Sequence, residues 1–347
     1  MIRFECDYAE GCHPALLKAL TDTNFEQHPG YGEDAHCDRA RQLIKEQLQA
    51  PEANVHFLVG GTQANATVIC AALKPYQGAI AAVTGHINVH ETGAIEALGH
   101  KVLPLPSADG RITADQVEAY CAGHWGDATH EHMVQPGMVY ISQPTENGTL
   151  YTLEQLTALR KVCDKYDLML YVDGARCGYG LASPVNDVFL PDLARLCDVF
   201  YIGGTKVGAM FGEAVVIMNE KLNKDFRYYI KRQGGMLAKG RLLGVQFETL
   251  MENGLYQQLG QHAVSLALEI RKTFEECGVS LLYDSPTNQQ FPILKKAERD
   301  AFAEKYAFSH WETLDDDLAA VRFCTSWFTP EENVRQLLED IRRICKR

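Results

Sequence analysis

The sequence predicts an α/β protein: a large domain on a mostly parallel sheet covered by helices, then a smaller C-terminal α+β domain. Three observations carry this. Apolar runs of strand type alternate with stretches of helical spacing from about residue 55 to residue 218. Those runs are continuously apolar, as in strands buried on both faces. Past about residue 220 the alternation stops, and helices and short strands follow in α+β order. At 347 residues, 46% hydrophobic and 22% charged, the chain suffices for about two domains and a sizeable core. We place an N-terminal arm at 1–12, a large domain at 13–245 and a small domain at 246–347.

The elements follow in order. Residues 1–12 read as an extended arm, and His13-Pro14 opens a short helix through Leu20. Residues 23–38 are polar and contain Gly30-Tyr31-Gly32, so they read as a loop. Residues 39–49 have helical spacing. The alternation then runs strand 55–59, helix 63–73, strand 79–83, helix 88–98, strand 101–105, helix 113–121, strand 138–142, helix 153–166, strand 168–172, helix 190–197, and strands 199–202 and 214–218. The stretch 123–136 is the least structured internal segment. Residues 221–252 are helix-like but interrupted at Gly234-Gly235. A long helix is expected at 254–277, short strands at 279–282, 290–294 and 319–324, and a final helix at 330–347.

Charge and cysteine usage exclude several classes. The net charge of −12 repels nucleic acid and anionic membrane surfaces. The eleven cysteines are scattered without a CxxC pair, which fits neither a zinc-finger spacing nor a disulfide framework. Reduced thiols in a cytoplasmic protein are expected. The N-terminus lacks the apolar run of a signal peptide, and no segment reaches the length of a membrane span.

The chemistry-bearing residues fall after strands, where open α/β sheets place their sites. Gly60-Gly61-Thr62 joins a strand to a helix; its free N–H groups and helix dipole suit a phosphate, although a tight turn needs the same residues. Asp173 ends the strand 168–172. There it can face a cationic ring nitrogen or close a loop against Arg176. His86 can lie on an aromatic ring or merely cap a helix, and Glu91 suits the same helix start. Glu146 follows the strand 138–142 as a possible base. Arg322, inside an apolar run, must pair, and its fork suits a carboxylate. Lys206 follows Gly203-Gly204-Thr205. Desolvated among cations, it can lose its proton and attack a carbonyl; otherwise it is a solvated loop lysine. His130 and His132 are a weak metal pair in a polar loop.

A phosphate turn, an imidazole, an aspartate and a lysine thus occur in chain order, each after a strand. With Cys6-Asp7, Tyr31-Gly32-Glu33-Asp34, Gly61-Thr62-Gln63-Ala64-Asn65, His86 with Glu91, Val172-Asp173-Gly174-Ala175-Arg176, Lys206 and Val321-Arg322-Phe323, nearly the whole chain resembles one family. This is the low-specificity L-threonine aldolase and β-eliminating lyase family of the aspartate-aminotransferase superfamily. The resemblance implies pyridoxal-phosphate fold type I, with pyridoxal 5'-phosphate as cofactor; no residue is assigned to a metal. It assigns Lys206 to the Schiff base, Asp173 to the pyridine nitrogen, His86 to the ring face, Gly61 and Thr62 to the phosphate, and Arg176 and Arg322 to the substrate carboxylate. It also implies a homodimer or homotetramer with shared sites. Arg232 and Lys239 would then enter the cofactor site, and Tyr31 the substrate site, from a neighbour.

Three positions depart from the family pattern. Glu146 stands where a histidine is usual near the substrate hydroxyl. Cys6 replaces a serine that helps hold the carboxylate. Thr205-Lys206-Val207 replaces Ser-Lys-Gly. The expected reaction is Cα–Cβ cleavage of a β-hydroxy amino acid, threonine or allo-threonine to glycine and acetaldehyde, with Lys206, His86 and Glu146 catalytic. The alternatives are β-elimination or transamination on the same scaffold, a catalytically silent oligomeric binding protein, and a metal hydrolase using His130 and His132.

Overall fold

The computed structural model describes residues 1–345, and its centre is a seven-stranded sheet. The strands are β1 (Asn54–Leu58), β2 (Gln77–Ala82), β3 (Lys101–Leu105), β4 (Gln135–Ser142), β5 (Met169–Asp173), β6 (Val199–Gly203) and β7 (Glu213–Ile217), in the order β1-β7-β6-β5-β4-β2-β3. All run parallel except β7, which is antiparallel to both β1 and β6. Every residue of β6 and β7 is buried. One apolar cluster lies on each face of the sheet, joining aliphatic side chains of successive strands to the covering helices. This is the arrangement that continuously apolar strands require.

Several expected helices divide. The stretch 88–98 is two short helices, His86–Val89 and Ala94–Ala97, because Thr92 and Gly93 take left-handed φ values of 53° and 70°. The stretch 221–252 is three helices, Glu220–Asn223, Phe226–Arg232 and Arg241–Met251, separated around Gly234-Gly235 as the glycines suggest. The strand expected at 279–282 is only a bridge from Leu281 to Pro292. Helix Lys296–Ala303 and strand Ser309–Thr313 were not anticipated. The final helix spans Glu331–Ile344; its expected last residues, 346 and 347, lie outside the described part.

A third apolar cluster joins Phe4 to Leu266, Ile270, Phe274, Val321 and Phe323. The N-terminal segment is therefore anchored: Ile2–Arg3 pairs in parallel with Tyr306–Ala307, and the Cys324 N–H donates to the Phe4 carbonyl at 2.7 Å. This docking carries residues 5–8 to the carboxyl edge of the sheet. One glycine fixes the centre of that edge. A Cβ on Gly174 would stand 1.9 Å from the Tyr201 carbonyl oxygen, so only glycine lets the end of β5 close against β6.

Candidate active site

The loops at the carboxyl edge enclose a cavity of about 300 Å3. It opens into a second chamber of about 540 Å3 through shared walls at Tyr8, His86, Glu146, Arg176 and Lys206. Both volumes suit small-molecule sites. Because β7 is antiparallel, its first residue, Glu213, sits in register with Leu58 and Gly203. A buried carboxyl thus joins the same edge.

At one end of the inner chamber, helix Gly61–Ala72 presents its first turn, with Gly60 at the N-cap and no side-chain cap. The uncapped N–H groups and the dipole suit an anion. A Cβ on Gly61 would lie 3.0 Å from the Tyr201 hydroxyl, so glycine lets the turn approach the floor.

Asp173 is 4% exposed. Tyr140 donates to it at 2.6 Å and Asn65 at 3.0 Å; the Tyr201 hydroxyl and the Ala175 N–H also donate. Burial pushes its pKa up, but these hydrogen bonds and His86 outweigh burial and hold it below the ordinary carboxylate range. The site therefore offers a fixed anion to a cationic ring nitrogen. Asn65 also donates to Glu91 at 2.7 Å, and Glu91 meets His86 Nδ1 at 2.7 Å. Burial lowers the His86 pKa, yet Glu91 and Asp173 raise it overall. Glu91 thus serves as a buried orienter of the His86 ring.

Lys206 has its pKa lowered, first by burial and then by Arg176. Its amine lies 6.0 Å from the Tyr8 ring centroid. Glu213 accepts from the Thr205 hydroxyl at 2.8 Å through Oε1, while Oε2 is buried without a partner. Burial pushes Glu213 up to about 8, and Lys206 opposes that rise. The two groups act on each other: the Glu213 carboxylate raises the Lys206 pKa while burial and Arg176 lower it.

Glu146 is 9% exposed. Its Oε1 accepts from the Ser142 hydroxyl at 2.7 Å and the His86 N–H at 3.0 Å, leaving Oε2 for the chamber it lines. Burial raises its pKa, as a general base working near neutrality requires.

Arg176 does not close a loop against Asp173. Its Nε and one terminal nitrogen bind Asp7 at 2.7 and 3.0 Å, which leaves the other terminal nitrogen for a ligand. Arg322 is anchored by Gln289 at 3.0 Å and the Glu5 carbonyl at 2.8 Å. It stacks on Trp311 at 5.4 Å, and its Nε is buried without a partner.

The remaining expected residues sit elsewhere. Cys6 lies between Glu5 and Asp7, and burial raises its thiol pKa; Tyr8, two residues on, forms the wall. Tyr31, Arg232 and Lys239 are exposed, and none of them lines the cavity of its own chain. His130 packs on His124 and Trp125. Among the described residues, the one group of three possible metal ligands includes neither His130 nor His132, so the expected alternative of a metal hydrolase on that pair has no support.

With this geometry established, comparison with known proteins is decisive. A family model for beta-eliminating lyases matches residues 7–297. The chain belongs to the beta-eliminating lyase family. A low specificity L-threonine aldolase from Pseudomonas sp. is 28% identical over 99% of this chain and 97% of its own length. One from Saccharomyces cerevisiae is 27% identical over 78% of this chain and 68% of its own. A solved Leishmania major threonine aldolase superposes with a TM-score of 0.96 at 43% identity, covering 99% of this chain and all of that one. An aspartate aminotransferase from Thermus thermophilus shares the fold, with a TM-score of 0.73 at 13% identity over 99% and 91% of the two chains. The protein is thus a lyase on the aspartate-aminotransferase fold, the family and fold that its motifs had indicated.

Asp7, Tyr8, Tyr140, Tyr201 and Glu213 received no role from the sequence reading. Asn65 and Asp7 stood inside the recognised motifs, again without one. A signal existed for Tyr140 and Tyr201: they put hydroxyls inside mainly apolar strands, at positions facing the same side as Asp173.

Proposed function

We propose that this lyase binds pyridoxal 5'-phosphate and cleaves the Cα–Cβ bond of β-hydroxy amino acids, with threonine or allo-threonine giving glycine and acetaldehyde. One observation carries the reading. A single cavity combines an amine of lowered pKa (Lys206), a carboxylate held ionised (Asp173) and a carboxyl of raised pKa (Glu146). The names of the relatives point the same way.

When bound, the cofactor supplies an aldehyde that amines can capture and a ring that accepts electrons. Gly61, Thr62 and the helix end would hold its phosphate. Asp173 would face its ring nitrogen and favour the protonated form, and His86 would lie against the ring. Lys206, whose pKa burial and Arg176 lower, is the amine that would bond the cofactor. Arg322 and the free edge of Arg176 orient the substrate carboxylate. Glu146 Oε2 takes the β-hydroxyl proton. As the β-carbon becomes a carbonyl, the Cα–Cβ electrons pass to Cα and the aldehyde leaves; a proton delivered to Cα, matching the one taken from the hydroxyl, completes glycine.

Each site is completed in a homo-oligomer, with Tyr31, Arg232 and Lys239 of a neighbour entering it. Their exposure in the single chain supports this. Eleven free thiols fit a reducing cytoplasm.

The test is product identification with a panel of β-hydroxy amino acids. Glycine with an aldehyde supports the proposal; pyruvate with ammonia would indicate β-elimination. A yellow preparation, bleached by borohydride with the label on Lys206, separates the enzyme from a silent binding protein. Arg322→Lys is expected to lower kcat/KM about 10–100-fold, since a charge-assisted bond is worth ~1.5–3 kcal/mol and lysine cannot reproduce the fork. Steady-state kinetics on threonine reads this directly.

A further inference from the structure

Away from the cavity, the loop after helix Pro14–Asp22 and the first turn of helix Ala35–Leu48 bring together two imidazoles and a carboxylate. Glu26, His28 and His36 offer ligand atoms that all lie within 4.8 Å of one another. Glu26 Oε2 sits 2.8 Å from His28 Nε2 and 3.0 Å from His36 Nε2. The two rings meet edge to face at 5.2 Å, and each histidine side chain is 19% exposed. Both Nε2 atoms therefore aim at one point.

The fourth member decides the chemistry. On helix Arg241–Met251, Glu248 Oε2 lies 2.6 Å from His36 Nδ1. The carboxylate on Nδ1 holds the ring so that Nε2 faces Glu26 and His28; an ion taken up there would displace the hydrogen that Nε2 now shares with Glu26 Oε2. A carboxylate on the far ring nitrogen is the outer-shell arrangement that accompanies metal-bound histidine. In a tetrahedral site with bonds of about 2.0–2.2 Å, ligand atoms stand ~3.3 Å apart. The two imidazoles need to close by at most ~1.5 Å to reach that spacing, and the half-exposed Glu26 can swing to make room.

We propose that Glu26, His28 and His36 form a binding site for zinc or a similar first-row divalent ion, with water in the fourth position and Glu248 as the positioning residue. Two imidazoles and one carboxylate select this class over calcium or magnesium, which take oxygen ligands. The ion would clamp the loop to the helix that begins at Ala35. The same loop carries Tyr31, whose N–H donates to the Ala238 carbonyl at 3.2 Å. Binding would thus stiffen the segment that bears this exposed ring.

The test uses the full-length protein with its cofactor, stripped by a chelator and titrated with Zn2+ in a calorimeter, with bound metal counted by elemental analysis. Wild type is expected to take one tight ion per chain that His28→Gln and Glu26→Gln lose. Glu248→Gln is expected to bind about 10–100-fold more weakly. Cobalt in place of zinc should give a tetrahedral visible band absent in His28→Gln. Equal stoichiometry and affinity in wild type and His28→Gln, or no saturable binding by wild type, overturns the proposal. His28 lies in the loop outside the helices, so that variant keeps the test open if His36→Gln fails to fold.

Discussion

Glu146→Gln is expected to lower kcat for aldol cleavage by about 10²–10⁴, the usual contribution of a positioned base, with KM little changed. Glutamine keeps the shape and still accepts from Ser142 and the His86 N–H, so the loop should hold its form. What it lacks is the lone pair basic enough to take a hydroxyl proton. The pH profile gives the discriminating readout. Burial raises the Glu146 pKa, and only its ionised form acts as base. Wild-type kcat should therefore fall as pH drops through a value above that of an ordinary glutamate. In the variant that acid limb should disappear. Cleavage at the wild-type rate by Glu146→Gln would remove Glu146 from the mechanism and leave His86 or a bound water as the base.

The second large effect concerns stability. Asp7→Asn is expected to destabilise the fold by about 3–5 kcal/mol, because it leaves the Arg176 guanidinium buried beside a neutral amide. Asp7 is fully buried and also accepts from Asn288 at 3.0 Å. Its burial alone would raise the pKa, yet Arg176 and Lys206 pull it down to about 2. The sign follows from linkage. A carboxyl depressed in the folded state stabilises fully above its unfolded pKa near ~3.9, and that stabilisation is lost as pH falls toward 2. Urea unfolding of wild type and variant at pH 7 and pH 3 reads both effects: the gap between them should narrow in acid. A gap below 1 kcal/mol at pH 7 would mean that Arg176 finds another counter-charge. Because this pair also aims Arg176 into the cavity, the variant should bind substrate less tightly as well.

How far the site was legible depends on what each residue answers to. Gly61, Thr62, His86, Glu146, Asp173 and Lys206 each follow a strand in the chain, and a parallel sheet brings all such positions to one edge. Strand spacing alone therefore assembled them. Arg322 was legible for another reason, a charge inside an apolar run. The partner of Arg176 was not legible. Asp173, three residues away, was the local candidate, but it accepts from Tyr140, Tyr201, Asn65 and the Ala175 N–H and not from Arg176, while Asp7 arrives from 169 residues away. Glu213 was hidden because it opens its strand. Only the antiparallel direction of β7 turns that start toward the site. The expected helix at 88–98 failed locally, since left-handed Thr92 and Gly93 break a pattern whose apolar spacing looked continuous.

By itself, the sequence determined the alternation of buried strands and helices, the set of side chains delivered to the carboxyl edge, and the family to which they belong. Those features rest on local periodicity and short motifs, which a chain expresses wherever it folds. The tertiary structure decided which carboxylate neutralises Arg176, which hydroxyls donate to Asp173, that Glu213 joins the edge beside Lys206, and that Glu146 is buried with a raised pKa. Each of these depends on contacts between segments far apart in the chain. Desolvation and charge pairing are set by what surrounds a group in space, and no spacing along the sequence encodes that.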